Sequence, residues 1–168
     1  MAHSPKTKAV VAKKRKSFTK FLAVFEEEVS LQAFKCNKDM AKEITAEAKS
    51  IIENQSYRWR PLTDQYLRRK IKQGYDRRIL IRTKEYVDSI SWGVTGGRVW
   101  AGIPALKIHQ GSGMPIAKLA RIHEFGTKTV PARPLWRPLL SKHVRQSAAF
   151  GRRYRKAANA AIARKAKL

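Results

Sequence analysis

No acidic residue occurs before Glu26 or after Glu124, whereas lysine and arginine run the whole length of the chain. A folded unit that pairs its own charges must therefore be built from the middle of the sequence, and the ends carry positive charge with nothing opposing it. Over 168 residues, 37 lysines and arginines face 12 aspartates and glutamates, for a formal charge of +25. That exceeds what solubility requires and points to polyanionic or acidic partners. The 43% apolar content still allows a packed core, and the 9% aromatic content argues against a wholly disordered basic chain. One domain with tails is the expected organisation: a basic, mobile arm over residues 1–17, a folded domain over 18–140, and a basic C-terminal helix or tail over 141–168.

The apolar spacing predicts several helices and one antiparallel hairpin. Residues 18–36 read both ways: Phe18, Phe21, Leu22, Phe25 and Val29 fall at helical spacing, while Val29, Leu31 and Ala33 alternate as in an edge strand. A helical turn or two followed by a strand is the expectation. Asn37 suits the cap of a helix whose inner face is Met40, Ile44, Ala48, Ile51 and Ile52. Thr63 and Asp64 open a second helix with Tyr66, Leu67 and Ile71 inward, Arg68, Arg69, Lys70 and Lys72 outward, and Gly74 at its end. A short helix over 84–90 follows. Ile90, Trp92 and Val94 then alternate up to Gly96-Gly97, a pair suited to a hairpin turn, and Val99, Ala101 and Ile103 return. Trp92 and Trp100 are expected to face each other across that hairpin. Pro115 suits the start of a helix through Ile122 that Gly126 ends, and Pro138 the start of a C-terminal helix with a break at Gly151.

No catalytic constellation is legible. His109, His123 and His143 lack the helical i, i+4 pairing of a zinc site, and Cys36 has no partner for a disulfide or a metal. No carboxylate cluster suits metal-dependent phosphate chemistry, so a nuclease carries little weight. No enzymatic activity, cofactor or metal is expected. Neither a membrane span nor a secretory signal is visible, and an intracellular, reducing setting is expected when the chain is made. The clusters Lys13, Lys14, Arg15, Lys16 and Arg152, Arg153, Arg155, Lys156 are candidate contacts to DNA phosphates or to an acidic protein, without base-reading capacity. Glu124 is the last acid of the chain and is expected to pair with a nearby arginine, Arg133 or Arg137. Pro131, Pro134 and Pro138 make a stiff connector that Leu135 and Trp136 anchor to the core or to a neighbouring subunit.

Two blocks, Ile122-His123-Glu124-Phe125-Gly126-Thr127 and Pro131-Ala132-Arg133-Pro134-Leu135-Trp136-Arg137-Pro138-Leu139-Leu140, resemble the signature of the tail-completion, or virion-morphogenesis, proteins of tailed bacteriophages. Relatives carry Phe-Leu in place of Leu135-Trp136. Upstream, Trp59, Pro61-Leu62, Tyr66 and Lys70, then Thr83 and Ser89-Ile90, follow a similar pattern, with Lys84 where relatives commonly have Gly. The resemblance covers about residues 57 to 140. It implies a small α+β domain, an antiparallel sheet with helices against it, in a structural virion protein of the neck or the head-proximal tail end that joins the tail to the DNA-filled head. It also implies assembly as a homo-oligomeric ring, often sixfold, beside head-connector and tail-tube proteins, with the motif residues at or near subunit interfaces. Contact of the basic ends with packaged DNA or acidic ring proteins is the companion expectation. The +25 charge supports an alternative, a sequence-independent nucleic-acid-binding protein.

Overall fold

The computed structural model describes residues 5–165, with side chains from Phe18 onward. The described residues form five helices and one two-stranded antiparallel sheet, the expected α+β mix: α1 (Pro5–Glu53), α2 (Asp64–Lys72), α3 (Glu85–Ser89), β1 (Ser91–Thr95), β2 (Arg98–Gly102), α4 (Ile116–Phe125) and α5 (Trp136–Lys165). They divide into two compact units: residues up to Asn37 with those from Ser147 onward, and Lys38–Gln146. The divisions fall inside α1 and α5. The strand expected near Val29 is absent, because α1 continues through residues 18–36, and Asn37 is an interior helical residue instead of a cap. The backbone of residues 5–17 belongs to α1, while the side chains of Lys13, Lys14, Arg15 and Lys16 lie outside the described ones.

In the first unit, α1 and α5 contribute the buried Glu28, Ala158 and Ile162. Glu28 receives a hydrogen bond from Lys165 Nζ at 2.5 Å, so a buried charge near one end of α5 is neutralised by a partner on the other helix. α5 runs unbroken through Gly151, where a side chain would meet nothing within 4 Å. One glycine costs a helix about 1 kcal/mol, too little to break a segment this long.

The second unit holds the main core. Ile44, Ala48, Ile51 and Ile52 of α1 pack with Trp59, Ile81, Tyr86, Val87, Ile90, Ile116, Ala120, Leu135 and Leu139. Thr63 caps α2 as expected, its Oγ1 accepting from the Tyr66 N–H at 3.4 Å. Lys70 was expected on the solvent side of α2 and is instead buried, at 4% exposure. It lies three residues after Leu67 and four after Tyr66, on their half-buried face, whereas Ile71, expected inward, is 39% exposed.

The hairpin forms where expected, with φ of 56° and 73° at Gly96 and Gly97, the left-handed pair a tight two-residue turn needs. Its register corrects the tryptophan pairing: Trp92 pairs with Ala101 and Trp100 with Gly93. A two-residue turn at 96–97 sets each even-numbered residue of β1 against an odd-numbered residue of β2, so the two indoles occupy opposite faces. Trp92 shares its face with Ile90 and Ala101 and lies under Lys42 Nζ at 5.4 Å. Trp100 covers Gly93, where a Cβ would come within 2.7 Å of the indole ring. α4 begins after Pro115 and ends at Gly126, as the sequence suggests, while α5 starts two residues before Pro138.

Candidate functional site

The stretches 122–127 and 131–140 meet in one clasp joining the end of α4 to the start of α5. Gly126 leaves α4 with φ 74° and ψ −179°, a conformation reserved for glycine. Any side chain there would strike the Ala132 backbone nitrogen at 2.8 Å and the Val130 carbonyl oxygen at 2.9 Å. The chain then reverses in a tight loop. Thr127 N–H donates to the Val130 carbonyl at 2.8 Å, and Thr127 Oγ1 accepts from the N–H groups of Thr129 and Val130 at 3.3 and 3.0 Å. The return segment is tied down when Arg133 N–H donates to the His123 carbonyl at 2.6 Å.

Glu124 completes the clasp. Buried at 6% exposure, its carboxylate accepts from the backbone N–H groups of Leu135, Trp136 and Arg137 at 2.8, 2.9 and 2.9 Å. These are orphan donors at the N-terminus of α5, so a side chain from one helix caps the next, with the helix dipole favouring its charge. Arg137 Nε adds a bond to Oε1 at 3.2 Å, and its Nη2 reaches the Glu124 carbonyl at 3.1 Å. Burial pushes the Glu124 pKa up, but the three N–H groups and the guanidinium outweigh it and hold the carboxyl below its ordinary value. The expected pairing with an arginine is made by Arg137. Arg133, the other candidate, turns elsewhere: buried, it donates from Nε to the Arg60 carbonyl at 3.1 Å and from Nη2 to the Pro61 carbonyl at 3.4 Å.

The upstream residues of the pattern belong to the same construction. Trp59 Nε1 donates to the Pro134 carbonyl at 2.9 Å, so residues 59–61 and 133–134 are stitched from both sides. Lys70 Nζ donates to the carbonyls of Arg78 and Ile81 at 2.7 and 2.5 Å, fixing the turn between α2 and α3. Burial lowers its pKa. Lys84 adopts φ 63°, the left-handed region that glycine favours.

Of the remaining motif residues, Leu135 is anchored in the core and Trp136 packs half-buried against it. Ile122, Gly126, Pro131 and Pro134 are half-buried, and Arg137 and Pro138 are exposed. Phe125 is 61% exposed, with the Arg137 guanidinium 5.0 Å from its ring centroid. His123 contacts Tyr86 edge-on, the ring centroids 6.0 Å apart. Burial, aided by the charge of Arg133, lowers its pKa to about 4, and its Nδ1 has no hydrogen-bond partner among the described residues. It is a neutral packing group at physiological pH. His143 instead meets Glu47 Oε2 at 2.9 Å, beside Lys142 on Oε1 at 2.5 Å. Arg152, Arg153, Arg155 and Lys156 are all exposed on α5 in the first unit, away in the sequence from the clasp.

Next to the clasp lies an open groove of about 820 Å³. Leu62, Leu80, Ile81, Tyr86 and Leu119 line its apolar part, and Arg60, Arg82 and Lys128 its exposed rim, with no acidic side chain among the lining residues. Sequence reasoning missed this groove because its walls come from four separate stretches between residues 60 and 133. Among the described residues no cluster of His, Cys, Asp and Glu could hold a metal ion, and no helix is long and apolar enough to cross a membrane. No family model, curated protein or solved structure matches the chain.

Proposed function

We propose that this chain is a ring-forming structural subunit of a tailed-bacteriophage neck or tail end, a tail-completion or tail-terminator protein that joins the tail to the DNA-filled head. The observation that supports the reading is the clasp. The residues that carry the resemblance have mutually dependent positions: Gly126 permits the reversal, Glu124 caps α5, and Trp59 and Arg133 stitch the upstream block to the downstream one. A chance match of scattered letters has no reason to place its residues in one bonded unit. The positive φ at Lys84, where relatives commonly have Gly, agrees with the same reading.

In this role the protein performs no chemical step. Its partners are further copies of itself in a ring, a head-connector ring and the tail tube, and its place is the virion. Electron microscopy of particles made without this chain, with complementation as control, is the test. Filled heads beside detached tails support the role, and normal infectious particles refute it.

The exposed cluster Arg152, Arg153, Arg155 and Lys156 favours a second reading, a sequence-independent nucleic-acid-binding protein. Titration against duplex DNA at several salt concentrations separates the two. Binding well tighter than the roughly 10⁻⁴ to 10⁻⁶ M of ordinary non-specific contacts at physiological salt, with a steep salt slope, favours the second reading.

A further inference from the structure

A recess of about 280 Å³ opens at the C-terminal end of α2, lined by Tyr66, Arg69, Lys70, Gln73 and Arg82 and by no acidic side chain. Cations in the last turn of a helix complement its dipole, which accounts for Arg69 and Lys70. It does not account for Arg82, which the fold brings to the same recess from the stretch between α2 and α3. Elsewhere in the second unit, Arg78, Arg133 and Arg137 commit their guanidinium groups to Asp76, to backbone carbonyls and to Glu124. Those of Arg69 and Arg82 make no hydrogen bond or ion pair among the described residues; each lies over a tyrosine instead, Arg69 5.3 Å from the ring centroid of Tyr66 and Arg82 4.6 Å from that of Tyr75. Such stacking restricts where each fork can point and leaves its N–H groups free to donate. Lys70 Nζ gives two of its three donors to the carbonyls of Arg78 and Ile81, and the third has no partner among the described residues. Besides burial, the charges of Arg82 and Arg78 act against its ammonium, and only Asp76 favours it. Both Asp76 oxygens are held by Arg78, at 3.0 Å from Nε and 2.6 Å from Nη2. Three cations therefore line one recess without a counter-charge of their own.

We propose that this recess is a binding site for a phosphate group, held by Arg69, Arg82 and the remaining donor of Lys70. The inference does not depend on the ring-forming role. Two guanidinium forks and an ammonium suit the several oxygens of a phosphate, whereas a carboxylate has only two to offer them. The size fits as well: a water molecule takes about 30 Å³, so the recess admits a phosphate group with part of its hydration shell. An anion seated there supplies the charge that the lining lacks and relieves the repulsion between Arg82 and Lys70. Tyr66 is the one aromatic ring of the lining, half-buried and covered by Arg69, so the recess reads a phosphate and not a base. Inorganic phosphate and the backbone of a nucleic acid share that chemistry.

Calorimetric titration of the full chain at fixed ionic strength, once with sodium phosphate and once with a short DNA duplex, tests the site and separates the two sources. One variant carries Arg69→Gln and Arg82→Gln and loses both forks of the recess. A control carries Arg68→Gln and Lys72→Gln, which removes the same charge from positions of α2 outside the lining. All four residues are exposed, and circular dichroism checks that both variants are folded. The wild type is expected to take up phosphate saturably. The recess variant should bind it about tenfold more weakly or worse, the cost of losing charge-assisted hydrogen bonds, while the control stays close to the wild type. Phosphate binding lost without a change toward the duplex assigns the site to free phosphate. A wild type that binds the duplex alone, with the recess variant losing affinity and about 1 in the salt slope beyond the control, supports the site and assigns it to a nucleic-acid backbone. Equal losses in the recess and control variants overturn the site, because the general positive charge of the chain then does the binding. A wild type that binds neither probe overturns it too.

Discussion

Glu124→Ala is the sharpest perturbation of the clasp, because one carboxylate satisfies three backbone donors at once. An ordinary N-cap lost to alanine costs about 1 kcal/mol, and a buried donor left unsatisfied about 1–3 kcal/mol. Leu135 is fully enclosed, whereas Trp136 is half-buried and Arg137 exposed, so water can reach part of the vacated site. The expected loss is about 3 kcal/mol, or roughly 10 °C in Tm for a chain of this size. Glu124→Gln keeps one acceptor oxygen but turns an amide NH2 toward a backbone donor, and about half the loss is expected. Arg137→Ala should cost under about 1 kcal/mol, since that guanidinium is 59% exposed and screened. The pH dependence has a definite sign. The Glu124 pKa is lower in the folded chain, so its contribution is present above the unfolded carboxylate pKa and is lost as pH falls through the folded one. The gap between wild type and Glu124→Gln must therefore narrow in acid. Urea titrations followed by tryptophan fluorescence, with amide exchange at residues 135–137, measure both effects. A cost for Glu124→Ala under about 1 kcal/mol at neutral pH, or a gap that stays constant down to pH 3, refutes the capping account.

Three other substitutions probe the same region. Gly126→Ala forces a Cβ into the backbone of residues 130–132 at a left-handed φ, and a loss above about 2 kcal/mol is expected in thermal denaturation; a neutral variant would show that the reversal is not fixed by glycine. His123 is neutral in the folded chain down to about pH 4 but protonates near 6.5 when unfolded, so wild-type stability falls across that window by up to about 3 kcal/mol. His123→Phe should flatten that part of the stability-against-pH curve, and an unchanged acid slope refutes the assignment. Lys84→Gly relieves a left-handed φ worth about 1–2 kcal/mol and adds unfolded-state entropy of about 0.5–1 kcal/mol, so a net gain of up to about 1 kcal/mol is expected; a clear loss of stability contradicts it.

The sequence reveals those elements whose local signals agree with their packing. Gly96-Gly97 sets a turn whose geometry only such residues reach, and Ile44, Ala48, Ile51 and Ile52 fall on one helical face that meets the core. The errors arise where a local signal is overruled. Val29, Leu31 and Ala33 imitate a strand because all three are exposed on a helix, where polarity is set by what the face meets and not by alternation. Asn37 resembles a cap only while the helix before it is thought to have ended. The tryptophan pairing was misplaced by one residue, and in a sheet a single step moves a side chain to the other face. Lys70 and Arg133 were misplaced for a different reason. Their partners are backbone carbonyls, which every residue has and no sequence displays.

The same consideration redistributes the roles of the signature residues. The resemblance implies that residues 122–138 lie at or near subunit interfaces, yet the hydrogen-bonding capacity of Glu124 and the guanidinium of Arg133 are directed to groups within the chain. Side chains committed in this way have little left to offer a neighbour. Only Phe125, Arg137 and Pro138 stand exposed among the motif positions considered as contacts. An interface built on this chain would then draw mainly on residues outside 122–138. Substitutions at Glu124, Gly126 or Arg133 should therefore lower the melting temperature and any assembly together, and a variant at one of these positions that melts early yet assembles like the wild type contradicts that account.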